Sequence, residues 1–202
     1  RVRLGLTGHP GGGGARGGLL LGAGAADLDY RAAALVQSAP GPEGGILAGV
    51  DHTGRLFLRD FWAQGGGPIL PHRQAEQTVP RLNAIELRVR IRENASDPSR
   101  VDLSVEAFAP GTLELEIDLA NDEDTAPLAR VEALDLPASA LVGNVALFAH
   151  QRAAREAESK PSFWFSHFRG AGFRLAQEND HQFGPILGAQ HTLSRGVLKM
   201  TA

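Results

Sequence analysis

Apolar and polar positions alternate with a period of two along several short segments of the chain. In "AIELRVRIRE", Ile85, Leu87, Val89 and Ile91 fall on one side, and Glu86, Arg88, Arg90 and Arg92 on the other. In "TLELEIDL", Leu113, Leu115, Ile117 and Leu119 oppose Glu114, Glu116 and Asp118. Successive side chains of a strand point to opposite faces, so the alternation predicts strands with one face on a core and one in water. The two segments suit neighbouring strands whose basic and acidic outer faces attract each other, at roughly 0.2–1 kcal/mol per cross-strand pair.

Similar runs recur between clusters of Gly, Pro, Asn and Asp. "LLLGAG", "YRAAALVQS", "GILAGVD", "RLFLRDFW", "VDLSVEAFA", "ARVEALDL", "NVALFAHQ", "SFWFSHFR" and "GFRLAQ" bring the total to about eleven candidate strands. The best helical stretch, "HQRAAREAESK" at 150–160, has only alanine as apolar content and reads as a polar excursion of one or two turns. "GHPGGGGARGG" at 8–18 and "APGPEGG" at 39–45 read as loops, and 61–80 as the longest irregular stretch. Many short strands with little helix predict an all-β, two-sheet antiparallel sandwich.

A chain of 202 residues suits one domain, which at this size buries roughly 70% of the surface its unfolded form exposes. Cysteine is absent, so neither disulfides nor thiolate metal sites arise. A formal charge of −3, with Lys and Arg scattered, gives no basis for a nucleic-acid partner. No apolar run approaches the roughly 18 residues of a membrane helix; the nearest, "GGLLLGAGAA" at 17–26, fits a strand. The chain opens at Arg1 and stops inside the apolar "GVLKMTA", as a piece of a longer protein would. We therefore expect a sandwich domain over 1–182 and a C-terminal strand or linker over 183–202 leading to a downstream domain.

"LPASALVGNVALFAH" followed by "SFWFSHFRGAGFRL" resembles the closing strands of concanavalin A-like, laminin-G-like jelly rolls. The tail, "FGPILGAQHTLSRGVLKMTA", resembles the segment joining an N-terminal jelly roll to the catalytic domain of bacterial alkaline phosphatase D-like metallophosphatases. "DLDYRAAALVQS" and "GRLFLRDF" are similar to early strands of that N-terminal domain. The resemblance implies an accessory module, in the bacterial periplasm or at the cell surface, whose partner is a downstream two-metal phosphatase domain. The ligand motifs of that domain are missing: "GVDHTG" has Asp51 and His52 adjacent rather than spaced by one, and Gly143-Asn144 continues with Val145 where a His is required.

The remaining chemical candidates are few. Glycosidases on concanavalin-like sandwiches carry Glu-x-Asp-x-Glu on one strand. Here Glu116 and Asp118 fit, but Ala120, or Asn121 in the longer spacing, replaces the final acid. Without an acid/base partner for the nucleophile the strand lacks the hydrolytic pair. Asp122, Glu123 and Asp124 supply hard oxygen ligands and make "NDEDT" a weak calcium candidate, alongside the plainer reading of a solvated turn. The histidines lack zinc-ligand spacing, and His167, in register with Phe163 and Phe165, reads as a residue at the margin of the core. No serine lies in a Gly-x-Ser-x-Gly elbow, and "NAS" at 94–96 is a glycosylation sequon by pattern only.

Trp164 reads as core. Arg59, Phe61 and Trp62, where a strand enters the long loop, form a candidate platform for stacking a sugar ring and fixing its hydroxyls. The sequence thus points to a non-catalytic accessory sandwich that packs against a neighbouring domain or binds a glycan. The alternatives are a free-standing lectin-like module, calcium-assisted or not, and a divergent glycosidase or lyase.

Overall fold

A computed structural model describes residues 1–7, 14–23, 45–60, 70–111, 126–150, 162–172, 175, 190–194 and 197–201. In chain order the strands are β1 (Val2–Thr7), β2 (Arg16–Ala23), β3 (Ile46–Asp51), β4 (Arg55–Asp60), β5 (Arg73–Thr78) and β6 (Ile85–Asn94). β7 (Asp97–Phe108), β8 (Ala129–Pro137), β9 (Asn144–His150), β10 (Ser162–Ser166), β11 (Gln190–Ser194) and β12 (Val197–Thr201) follow, with one 3₁₀ turn at Ala138–Leu141. Ten strands form two five-stranded antiparallel sheets, ordered β10-β1-β6-β7-β8 and β5-β4-β3-β2-β9, while β11 and β12 pair with each other. This is an all-β, two-sheet sandwich.

The core lies between the sheets. Leu4, Leu87 and Leu103 of the first sheet join Ile46, Leu56 and Leu58 of the second in one fully buried cluster. Each such side chain contributes about 1.5–3 kcal/mol by leaving water. The chain lays β1 in one sheet and β2 in the other, then runs β3-β4-β5 as a meander beside β2 and β6-β7-β8 as a meander beside β1. It finishes by adding β9 to the free side of β2 and β10 to the free side of β1.

Several sequence expectations need correction. The glycine-rich stretch 8–18 is not all loop, since β2 starts at Arg16. The irregular stretch 61–80 contains β5, which buries only Ala75 and so shows no alternation. His167 does not sit at the core margin: β10 ends at Ser166, and His167 is exposed with a left-handed φ of 52°. Trp164 is half-buried on the outer face, opposite to Phe163, with its indole against Gly5, where a Cβ would come within 2.6 Å of the ring. In β6 the alternation fails at both ends, because Glu86 and Arg88 are buried while Ile91 is 48% exposed. The acids opposite its arginines come from β7, Glu106 facing Arg88 and Asp102 facing Arg92. The segment expected to provide them, 112–119, lies outside the described residues, as does the strand candidate over 30–38; of the helical excursion over 150–160 only His150 is described, and it ends β9.

In the β3–β4 turn Asp51 organises the backbone. Its Oδ1 accepts hydrogen bonds from the Thr53 amide (2.8 Å), the Thr53 hydroxyl (2.6 Å) and the Arg55 amide (3.1 Å). Gly54 closes the turn at φ 85°, with the Val79 carbonyl in the space a Cβ would need. Asp51→Ala leaves these donors unmatched and should lower stability by about 1–2 kcal/mol. Urea titration checks this: the midpoint falls while the slope stays constant.

Candidate functional site

The outward face of the second sheet carries the best-formed constellation. Strand register places Gln74, Phe57, Gly49, Gly18 and Phe148 in one row across all five strands. Two adjacent glycines leave a gap in the side-chain layer between two aromatic rings. Glycine inside a strand commonly marks such a close approach. Phe148 leans into the gap, so that a Cβ on Gly49 would stand 3.0 Å from its ring tip. The Phe57 and Phe148 rings meet edge to face at 6.3 Å, and the His72 ring meets Phe57 at the same distance, also edge to face.

Polar residues border this row. On one side, Arg16 of β2 stands between Asp51 of β3 and His150 of β9. Its guanidinium carbon lies 5.7 Å from the centre of the Phe57 ring, reaching across the gap that the glycines leave. Arg59 of β4 lies on the other side, beside Leu47 of β3. Phe57 itself is only 2% exposed, although it points away from the sandwich core. It is a floor for the face. His72 and Arg59 are exposed above it, and Phe148 and Arg16 are half-buried.

Burial, the Arg59 charge and the Arg16 charge hold the His72 imidazole below its ordinary value of 6.5, with Asp51 acting weakly in the opposite sense. The folded chain therefore takes up this proton less readily than the unfolded one. The stability involved is present above the ordinary histidine value and is lost as pH falls through the depressed one. Because His72 is exposed, solvent screens much of the effect. The thermal midpoint should decline on acidification through this range, and His72→Gln should flatten that part of the profile.

No family model, curated protein or solved structure matches this chain. Its own geometry carries the reading.

Of the predicted platform, Arg59 is described and lies on this face; Phe61 and Trp62, immediately after β4, fall outside the described residues. So do Glu116, Asp118, Asp122 and Asp124. Among the described residues no three His, Asp or Glu side chains converge as metal ligands. No helix among them is long and apolar enough to cross a membrane. Asn94 of the sequon bends the β6–β7 turn, accepting the Ser96 amide at 2.9 Å. Sequence reasoning missed Arg16, His72, Phe57 and Phe148. The available signal was glycine at 49 inside an apolar strand.

The outer face of the first sheet is organised differently. Glu86 and Glu106 share this face on neighbouring strands, in diagonal positions. Glu86 accepts from Arg3 at 2.6 Å and from the Gly111 amide at 3.0 Å. Glu106 accepts from Arg88 Nε at 2.8 Å, and Arg130 approaches its other oxygen at 3.2 Å and also bonds Glu132. Arg88 in turn stacks over Phe108, 4.5 Å from the ring centre. Both carboxylates are buried and committed to guanidinium partners, an arrangement that fixes strands rather than one that exchanges protons with a substrate. An open polar groove of about 510 Å³ runs between β5 and β8, lined by Arg73, Gln74, Glu76, Gln77, Arg130 and Glu132.

Proposed function

We propose that this chain is a non-catalytic, carbohydrate-binding sandwich domain of the concanavalin-like jelly-roll type, acting as the accessory module of a larger metallophosphatase-type protein. The jelly-roll reading draws on the connectivity, in which the last two strands of the sandwich flank the first two. The binding reading rests on one observation: the row of aromatic rings and glycines across the second sheet, bordered by Arg16 and Arg59. The half-buried Phe148 ring, seated on Phe57 and flanked by guanidinium groups, suits a sugar, whose apolar ring face and hydroxyl rim make both demands at once. The commitment of Glu86 and Glu106 to arginines weighs against a glycosidase or lyase.

Calorimetric titration of the chain with plant and bacterial-surface oligosaccharides, with and without calcium, tests the proposal. Saturable heat is expected, with the affinity lowered about two- to tenfold by Phe148→Ala, since a lost aromatic contact is worth roughly 0.5–1.5 kcal/mol beyond its area. Absence of heat with every sugar, at protein concentrations near a millimolar, sinks the reading. A packing role is then favoured by Val142, Val145 and Leu147, exposed apolar residues on and just before β9 that suit a neighbouring domain.

A further inference from the structure

The two outer faces of the sandwich treat their arginines in opposite ways. On the first sheet Arg3, Arg88 and Arg130 each hold a glutamate, so positive charge is cancelled where it stands. On the second sheet, among the described residues, neither Arg16 nor Arg59 has a carboxylate partner. The acid in register with Arg16 is Asp51, but no ion pair joins the two, and Asp51 Oδ1 accepts from the turn donors of Thr53 and Arg55. Among the described residues two guanidinium groups therefore stand without an ion-pair partner around one aromatic floor, near enough that both act on the imidazole of His72.

Arg16 is also held in place. Its guanidinium carbon lies 5.7 Å from the centre of the buried Phe57 ring, a contact that lessens the side-chain freedom to be lost on binding. A guanidinium group can pair two of its N–H donors with the two oxygens of a planar carboxylate, or with two oxygens of a tetrahedral sulfate. Sugar hydroxyls alone leave such charges unused.

We propose that the ligand of this face is an acidic saccharide whose carboxylate or sulfate group is bound by Arg59 and Arg16. The inference rests on the carbohydrate-binding reading above and adds the charge of the ligand to it. His72 faces Arg59 of β4, Arg16 of β2, Asp51 of β3 and the Phe57 ring. A bound anion replaces repulsion by attraction there, so the imidazole takes up a proton more readily in the complex. Affinity accordingly rises as pH is lowered through the histidine range.

The experiment is a calorimetric comparison of three oligosaccharides of equal length: a galacturonate oligomer, a sulfated galactan fragment and a neutral galactan fragment. Inorganic sulfate serves as the bare-anion probe. At least one acidic oligomer should bind about tenfold or more tightly than the neutral one, and added salt should weaken it. Preference between the two acidic oligomers identifies the source of the anion. Arg59→Ala should cost about tenfold or more, as the loss of charge-assisted bonds does, while Arg59→Lys recovers part of it. Arg59 is exposed, so the fold survives the change, and Arg92→Ala on the other sheet should leave binding as it was.

Equal affinity for neutral and acidic oligomers would overturn this inference and leave carbohydrate binding standing. Inorganic sulfate binding as tightly as the acidic oligomer would also overturn it, because the sugar then contributes nothing. If no saccharide binds at all, both readings fall together.

Discussion

Glu106→Ala should destabilise the domain by about 3–5 kcal/mol, a large share of what holds a domain of this size together. The carboxylate is 3% exposed and faces Arg88, whose side chain is nearly as buried. Removing the acid deprives a buried guanidinium of the carboxylate its Nε donates to, and that lost counter-charge accounts for most of the cost. Arg130 loses a partner as well but remains half-exposed and keeps Glu132, so its share is small. Chemical denaturation of four proteins separates these contributions: the parent, Glu106→Ala, Arg88→Met, and a double variant with Glu106→Leu and Arg88→Met. The double variant should regain most of the loss, because an apolar pair of similar volume leaves no charge behind. Equal destabilisation of the double and single variants would mean that packing rather than charge governs this face.

Phe57→Ala should cost about 3–5 kcal/mol, as much as a deletion within the core between the sheets. An outward-facing residue of a two-layer sandwich ordinarily costs far less. Here Phe57 lies beneath Arg16, His72 and Phe148, and its removal opens a cavity and withdraws the surface on which the Arg16 guanidinium rests. Binding should suffer more than the stability loss explains, even at temperatures where the variant is fully folded. Phe57→Leu discriminates: it refills much of the volume but offers no π face to the cation. Stability should return in large part, while affinity for the saccharide should not.

How far the sequence exposed these features can be judged residue by residue. The period-two alternation in β6 and the apolar runs of β2, β3 and β4 were sufficient for an all-β sandwich, because a face that must be buried leaves its mark at alternate positions. β5 left no such mark: in "RQAEQT" only Ala75 reaches the core, and neighbouring backbone rather than hydrophobicity holds the strand. The burial of Glu86, Arg88 and Glu106 was hidden for a related reason. A charged position in an alternating strand looks the same whether it meets water or a counter-charge.

Arg59 could be singled out locally, as a cation at the end of an apolar strand. Its companions could not. Arg16 and His72 lie more than forty residues before and thirteen after it, and only the register of β2, β3, β4 and β5 brings them onto one face. Gly49 was visible as an interruption in a strand and Gly18 was hidden in a stretch that reads as loop, and a row emerges only once the ladder aligns them.

The pairing of β1 with β10 has a consequence for the order in which this protein can be made. Leu4 waits for Phe165 and Leu19 for Leu147, partners that leave the ribosome more than a hundred residues later. Both meanders can form as soon as they are synthesised, yet each sheet keeps a bare edge on one of its first two strands until β9 and β10 arrive. Such long-range pairings place the chain among slow folders. Until then the nascent sheets present hydrogen-bonding groups to any other extended chain nearby. β9 and β10 therefore act as a latch, and a chain truncated before β9 would be expected to aggregate rather than to fold partially.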